Sequence, residues 1–252
     1  MHKTPSETEG LLSELLPALG DLAKGPDGAL DVILAPSFVS LPLAAKMIAG
    51  SGITLAAQDC HWSEEGPFTG EVSARMLAEV GCRAVILGHS ERREFFGETN
   101  RRVNMKARMA LFWGLTPILC IGEKADERAS GHTAMVVEKQ LKRCLEEIKL
   151  DKGQRLMIAY EPVWAIGSGK TPTPSQVKDV HRLIRAELVA TFGEKTAATL
   201  PILYGGSVSP ATAATMMSVE SVDGVLVGAA SLEAATFLEV AEALLGRAAR
   251  SE

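Results

Sequence analysis

A glutamate stands where an apolar segment of the chain gives way to a loop. Residues 156–160, just before Glu161, are apolar and predict a buried parallel strand, and Pro162 ends that strand because it has no N–H for a ladder. The loop that follows is apolar in its middle and then carries Gly167 and Gly169. A carboxylate at a strand end beneath an apolar loop is typical of a catalytic base with a lid, although a glutamate that faces water gives the same pattern.

A histidine and several small residues also come directly after apolar segments. His89 follows Gly88 near a helical turn, whose N–H groups would disfavour the charged imidazole, so a neutral ring could donate a hydrogen bond to a substrate oxygen. Ser207, Gly228 and Ala229 lie at two later junctions of a strand with a loop and helix. Small residues there can present backbone N–H groups to a phosphate, and two successive junctions favour this over simple tight turns.

The elements that must position these residues alternate between strand and helix. Predicted strands cover residues 31–36, 53–58, 83–88, 116–121, 156–160, 201–204 and 223–227. Predicted helices follow a capping box at 4–7, cover about 40–50, 71–80, 99–113 and 126–148, follow a second capping box at 173–176, and close the chain. Seven strands, each followed by a helix, predict a parallel sheet with right-handed crossovers.

Two architectures fit this alternation, an open doubly wound sheet and a closed (βα)8 barrel. The polar residues nearly all come just after a strand, and a barrel would collect those positions on one rim, where barrel active sites lie. Their clustering therefore favours a barrel, although a barrel needs eight strands and the pattern contains seven.

Composition restricts the class of protein. With 252 residues, of which 46% are hydrophobic and 23% charged, the chain predicts one globular domain over residues 1–252. The net charge of −5 argues against non-specific nucleic-acid binding. We expect a cytoplasmic protein with no membrane partner, since no apolar run reaches transmembrane length, the N-terminus shows no signal-peptide pattern, and the cysteines have neither CxxC nor metal-ligand spacing: Cys60, Cys82, Cys120 and Cys144.

Four motifs together closely resemble triosephosphate isomerase of the bacterial type. They are residues 88–93 (GHSERR), 120–123 (CIGE), 159–167 (AYEPVWAIG) and 204–208 (YGGSV), and the resemblance runs from Met1 to about residue 245. It implies a (βα)8 TIM barrel that interconverts dihydroxyacetone phosphate and D-glyceraldehyde 3-phosphate through an enediolate, in glycolysis and gluconeogenesis. It implies no cofactor and no metal.

The resemblance, rather than the spacing, assigns the roles of single residues. Glu161 matches the catalytic base, and His89 matches the neutral electrophile that polarises the carbonyl oxygen. Residues 162–171 match the lid that excludes water, and the loop containing residues 68–71 (FTGE) matches one that docks into a second subunit, so a homodimer is implied. The phosphate-binding N–H groups match Gly167, Ser207, Gly228 and Ala229.

Three positions depart from the pattern of the family. Ala229 replaces a glycine but keeps the backbone N–H. Pro172 stands where the family has a free N–H that Tyr204 can bond when the lid closes. In the family, a first strand ending in Asn-Trp-Lys precedes the Met that matches Met1; its Lys binds the substrate, and Lys3 is not its equivalent. We therefore expect a barrel lacking strand 1 in this chain, and a natural protein that starts upstream.

Other functions stay open on the sequence alone. A barrel that binds a sugar phosphate with little or no turnover would carry the same motifs if the substrate-binding Lys is absent. An isomerase for a four-carbon sugar phosphate would differ only in the shape of its cavity. An interaction scaffold that uses the subunit surface alone would leave Glu161, His89 and the phosphate motifs unexplained.

Overall fold

The computed structural model describes residues 1–24 and 30–248, in which strands and helices alternate. The strands are Ile33–Leu34 (β1), Thr54–Ala57 (β2), Ala84–Leu87 (β3), Thr116–Ile121 (β4), Met157–Tyr160 (β5), Ile202–Tyr204 (β6) and Gly224–Val225 (β7). The helices are Pro5–Lys24 (α1), Leu41–Met47 (α2), Ala74–Val80 (α3), Ser90–Phe95 (α4), Asn100–Phe112 (α5), Ala125–Ala129 (α6), Thr133–Cys144 (α7), Pro174–Phe192 (α8), Glu194–Ala197 (α9), Pro210–Met217 (α10) and Ala234–Ala248 (α11). Of the helices in these two ranges, none has the length and apolarity needed to cross a membrane.

The strands form one sheet whose spatial order is the order of the chain. Each strand pairs in parallel with the next, from β1 with β2 to β6 with β7. Helix α1, which precedes β1, packs against α11, which follows β7. This contact connects the helices at the two ends of the sheet. The predicted parallel sheet is therefore confirmed, and its strands direct their C-terminal ends to a common rim.

The two faces of the sheet differ in the size of their side chains. Residues that point outward along β4, such as Leu119 and Ile121, belong to the main core between strands and helices. The inner face forms a separate cluster in which small residues predominate, because facing strands leave little room between them. This inner cluster consists of Ala56, Ala84, Ile118, Cys120, Met157 and Ala159.

Two predicted helices have the wrong bounds. The helix predicted over 126–148 is two helices, α6 and α7, separated at Gly131, whose φ of 71° is left-handed and ends the first of them. The helix predicted from 71 begins at Ala74 instead, because the Ser73 hydroxyl accepts from the N–H of Met76 and caps α3 there.

The predicted helix starts at the two capping boxes are confirmed. In the first, Glu7 accepts from the Thr4 N–H at 2.7 Å, and in the second Gln176 accepts from the Thr173 N–H at 3.0 Å. The end strands β1 and β7 contain two residues each, fewer than predicted. Each has a strand neighbour on one side among the described residues, so a shorter ladder holds it.

A buried ion cluster, defined here as Asp59, Arg92, Glu98 and Lys106, joins three elements near the rim. The Lys106 ammonium bonds the Asp59 carboxylate at 2.7 Å and also bonds Glu98, while Arg92 reaches the other Asp59 oxygen at 2.8 Å. Glu98 in turn accepts from the N–H of Gly88 at 3.0 Å. The cluster therefore ties the ends of β2 and β3 to helix α5.

The change Lys106→Met should strongly destabilise the fold, because it leaves two carboxylates buried without their shared cation. We expect a loss of about 3–5 kcal/mol in the free energy of unfolding near pH 8, measured by urea denaturation. Burial already raises the pKa of Asp59 against the pull of Lys106 and Arg92, and loss of Lys106 raises it further. An acid with a raised folded-state pKa takes up protons more readily when folded, so the loss should shrink as the pH falls toward 5.

The control is Lys142→Met, the same change at an exposed lysine that faces Glu138 and Glu187 at 3.7 and 3.5 Å. Exposed pairs contribute only about 0–1 kcal/mol, so this variant should stay close to the parent at both pH values. Equal losses in the two variants would show that the buried ion cluster does not hold the rim together.

Candidate active site

Glu161 directly follows β5, and its side chain is buried, with 2% exposed. One carboxylate oxygen, Oε1, lies 3.0 Å from Nε2 of His89 and accepts from the Ser90 hydroxyl at 3.1 Å. The other, Oε2, accepts from the Ser90 backbone N–H at 3.0 Å. His89 and Glu161, the two residues that the sequence predicted to be catalytic, are therefore in direct contact. The neighbouring Ser90 lies 71 positions before Glu161 in the chain.

Two opposing effects set the protonation of this carboxyl. Burial raises the pKa of Glu161 above its usual range, and this is the largest effect. His89, the two Ser90 donors and the Cys120 thiol act in the opposite direction by favouring the charged form, and the net shift is upward. The result is a carboxylate that binds a proton more readily than an exposed glutamate.

The start of helix α4 determines which nitrogen of His89 carries the proton. His89 is the N-cap of the helix, and its Nδ1 accepts from the N–H of Glu91 at 3.3 Å. Because Nδ1 acts as the acceptor, the neutral ring carries its hydrogen on Nε2 and donates it to Glu161. The sequence predicted a neutral donor at this helix start, and the hydrogen bond at Nδ1 leaves Nε2 available for that role.

Gly88 allows His89 to reach this position. Its φ is 73°, and a Cβ at this site would lie 2.9 Å from both Arg93 and Val103, so no larger residue fits. The Gly88 N–H donates to Glu98, and its carbonyl accepts from Arg93 at 2.7 Å. Both polar groups of the residue before the histidine are thus held.

Two contributors to the site were not identified from the sequence. Ser90 supplies two of the donors to Glu161, and a signal for it existed, because the first residue of a helix has a free N–H. Glu123 is completely buried and accepts from Trp164 Nε1 at 2.9 Å and from the Tyr160 hydroxyl. Its only signal was its place in the motif at 120–123.

The predicted phosphate ligands lie on neighbouring strand ends and on the lid. Ser207 and Gly228 follow β6 and β7, which pair with each other, and both residues are exposed. Within residues 1–24 and 30–248, the N–H groups of Ser207 and Gly228 donate to no protein acceptor. Ala229 starts a single 3-10 turn, and Gly167 lies on the exposed lid with a left-handed φ of 66°.

The lid, residues 162–171, is anchored at its N-terminal end and exposed beyond it. Trp164 bonds Glu123, and the Arg128 guanidinium lies 4.8 Å from the centre of the Trp164 ring, while Ala165 is buried. Residues 166–171 are exposed. The buried and hydrogen-bonded part of this segment thus lies at its N-terminal end.

The far end of the lid lacks a matching anchor. Within the described residues the buried Tyr204 hydroxyl has no hydrogen-bond partner, and Pro172, which is buried, has no N–H to offer it.

As for metal binding, the described residues contain no group of three or more His, Cys, Asp or Glu side chains placed to hold an ion.

The chain matches known proteins along most of its length. The family model described as Triosephosphate isomerase matches residues 1–244. A triosephosphate isomerase of Chlorobium chlorochromatii is 47% identical over 247 residues, which cover 98% of this chain and 96% of the relative. A triosephosphate isomerase of Chlorobaculum tepidum is 51% identical over 220 residues, or 87% and 89% of the two chains.

A solved structure gives the same result for the fold. The crystal structure of triosephosphate isomerase from Bartonella henselae superposes with a TM-score of 0.85 at 33% identity, and the match covers 96% of this chain and 94% of the other. The barrel fold predicted from the sequence is confirmed by this superposition, and the chain belongs to the triosephosphate isomerase family.

Proposed function

We propose that this protein interconverts dihydroxyacetone phosphate and D-glyceraldehyde 3-phosphate, with Glu161 as the base and His89 as the electrophile. The observation that carries the proposal is the 3.0 Å contact between His89 Nε2 and the buried Glu161 carboxylate. It joins a proton acceptor to a neutral proton donor at the rim of the barrel. Membership of the family supports the choice of substrate.

The reaction needs a proton to leave a carbon next to a carbonyl group. Glu161 takes that proton, the bonding electrons move to the carbonyl oxygen, and the Nε2–H of His89 donates to the enediolate oxygen that results. His89 then gives its Nε2 proton to that oxygen and takes up the proton of the neighbouring hydroxyl group, while Glu161 returns the first proton to the neighbouring carbon, so the aldehyde and the ketone exchange places. No atom is gained or lost, so the two residues complete the chemistry without a co-reactant.

Substrate binding would make Glu161 a stronger base. In the structure the carboxylate accepts from His89 and twice from Ser90, and these donors lower its pKa. A substrate that takes over those donors removes stabilisation of the charged form, and each such hydrogen bond contributes about 1.5–3 kcal/mol. Closure of the lid over a side chain that is already buried would raise the pKa further.

The phosphate would bind at the N–H groups that follow β6 and β7. Ser207 and Gly228 are exposed and follow neighbouring strands, their N–H groups have no acceptor in the described part of the chain, and Ala229 and Gly167 would add one N–H each. Small residues at these positions allow the backbone to approach a phosphate closely. Because the lid carries Gly167, binding of the phosphate would draw it over the site.

We further propose that the protein is a cytoplasmic homodimer. The loop at residues 61–72 supports the dimer: His61 stacks on Trp62 and Phe68 with ring centres 4.1 Å apart, which stiffens a segment whose tip at 68–71 is exposed. Phe95 and Phe96 are also exposed large apolar side chains. The four cysteines are free and buried, which fits a reducing compartment.

The change Glu161→Asp tests the base. It withdraws the carboxylate by one methylene, and because proton transfer depends on close alignment, kcat should fall on the order of 10²-fold or more. A coupled assay of the full chain with each triose phosphate measures this. Glu79→Asp, at an exposed position on α3, is the matched control and should leave kcat unchanged. Near-normal turnover of the Glu161 variant would exclude this residue as the base.

The change Ser207→Asp tests the phosphate site. It places a carboxylate beside the proposed dianion site, so KM for the substrate and Ki for a phosphoglycolate-type analogue should both rise, on the order of tenfold or more. Ser13→Asp adds the same charge on the exposed face of α1 and should change neither constant. If both constants stay unchanged in the Ser207 variant, the phosphate binds elsewhere.

The change Tyr204→Phe tests the end of the lid. The Tyr204 hydroxyl has no hydrogen-bond partner among the described residues, and Pro172 cannot donate to it. Its removal should therefore lower kcat/KM less than about threefold. In a Pro172→Ala background, which restores an N–H, the same change should cost more, and the two effects form a double-mutant cycle. A hundredfold loss in the parent background would show that the hydroxyl acts through another partner.

A further inference from the structure

The backbone of the proposed base rests on a glycine of the neighbouring strand end. Gly122 follows β4, and a Cβ at this position would lie 1.6 Å from the carbonyl oxygen of Glu161. The Glu161 N–H donates to the carbonyl of Ile121 at 2.7 Å, so the two chain segments also share a hydrogen bond there. A displacement of Gly122 must therefore displace the backbone that carries the Glu161 side chain.

The side chain of Gln140 forms hydrogen bonds with both the N–H and the carbonyl of Gly122. Gln140, on helix α7, accepts from the Gly122 N–H through Oε1 at 2.7 Å and donates from Nε2 to the Gly122 carbonyl at 3.0 Å. A single planar amide that bonds both groups fixes the orientation of the peptides on each side of the glycine as well as its position. We refer to this pair of hydrogen bonds as the Gln140 clamp.

The clamp acts on the lid through the next residue. Glu123 follows Gly122 and bonds Trp164 at the start of the lid and the Tyr160 hydroxyl on β5. One segment of two residues thus supports the backbone of the base and anchors the lid. The groups proposed to bind phosphate on β6 and β7 make no contact with Gln140 among the hydrogen bonds of the described residues.

We infer that Gln140 is a positioning residue for catalysis, holding Gly122 so that Glu161 stays in line with its substrate. The inference rests on the proposed role of Glu161 as the base. Only a side chain with a donor and an acceptor side by side fits Gly122, since the glycine presents one N–H and one carbonyl. Loss of the clamp should therefore lower kcat and leave phosphate binding, and with it KM, nearly unchanged.

Two variants remove the clamp in different ways. Gln140→Met keeps the length of the side chain and removes both hydrogen bonds, and we expect kcat to fall roughly tenfold or more with KM within about twofold of the parent. Gln140→Glu keeps the shape and the acceptor for the Gly122 N–H but places a charged oxygen against its carbonyl. Near pH 8 its kcat should fall by a similar factor.

The second variant should recover as the pH falls. A protonated carboxyl has an O–H donor and a C=O acceptor and so imitates the amide, and the ratio of its kcat to that of the parent should rise toward 1 between pH 8 and pH 5. Taking the ratio at each pH removes the titration of Glu161 and of the substrate. The charged groups that line the cavity of about 310 Å³ beside the clamp are Arg93, Glu94, Lys124 and Glu127.

The matched control is Lys139→Gln, at the exposed neighbouring position on α7. It changes the net charge by the same −1 as Gln140→Glu without touching Gly122. Its kcat should equal that of the parent, and its ratio to the parent should not depend on pH. If Gln140→Met does not fold, Gln140→Glu carries the test, because it has the size of the parent residue.

Amide hydrogen exchange separates the clamp from the proposed function. Exchange at the Gly122 N–H should accelerate roughly tenfold or more in Gln140→Met, whether or not the parent turns over triose phosphates. A parent without isomerase activity would overturn the proposed function and leave the clamp to be judged by exchange alone. Unchanged exchange at Gly122, an unchanged kcat in an active parent, or a kcat ratio independent of pH would overturn the inference.

Discussion

The site depends on burying one carboxyl group among hydrogen-bond donors that favour its charged form. Burying an ionised group is costly unless hydrogen bonds replace its hydration, and the Glu161 carboxylate is 2% exposed. His89 and Ser90, two consecutive positions at the start of α4, supply three of its hydrogen-bond donors, and the Cys120 thiol on β4 also favours its charged form. Most of the hydrogen bonds to this proposed base thus depend on the position of a short helix that begins two strands away in the sheet.

That helix is held by interactions of the backbone before it. Gly88 has its N–H bonded to Glu98 of the buried ion cluster and its carbonyl bonded to Arg93, and Arg93 also donates to the carbonyl of Cys120 at 3.0 Å. A buried ion cluster is a weak source of net stability, because the cost of desolvation offsets much of the attraction between the charges. The cluster instead positions the backbone, since it connects the ends of β2 and β3 at Gly88, the residue before His89.

A similar arrangement occurs at Gly122, which follows strand β4. Gly122 is bonded at both its N–H and its carbonyl by Gln140, as Gly88 is by Glu98 and Arg93. In both cases a glycine allows another part of the chain to approach closely, and side chains that bond both of its polar groups supply the rigidity that the glycine lacks. His89 and Glu161, the proposed electrophile and base, are each placed by a clamped glycine, so their 3.0 Å separation does not depend on the side-chain rotamers alone.

Sequence patterns predicted the seven parallel strands and placed His89 and Glu161 at the ends of two of them, and the clustering of polar residues after strands favoured the barrel. Apolar runs and the residues that end them are local signals, and parallel strands place their ends on one rim whatever the details of the loops. The long helix predicted over 126–148 was wrong because the apolar period continues across Gly131, and periodicity does not report the left-handed backbone there.

The partners of the site were less accessible to sequence reasoning. Ser90, Glu123 and Gln140 act through contacts between residues that are distant in the chain, such as the 37 positions between Glu123 and Tyr160. No local period encodes such contacts. The roles of the phosphate-binding residues came from the family resemblance, which matches motifs and not geometry.

The unequal ends of the lid bear on which ligands could close it. Its start is fixed by Trp164 on Glu123, whereas at its far end Pro172 has no N–H for the Tyr204 hydroxyl. A ligand shifts the balance between open and closed lids only by the contacts that it makes better in the closed form. With no hydroxyl latch to add to those contacts, closure in the proposed reaction must come mainly from the phosphate acting on the lid N–H groups around Gly167. A sugar without a phosphate would lack those contacts and would leave the balance between open and closed lids unshifted.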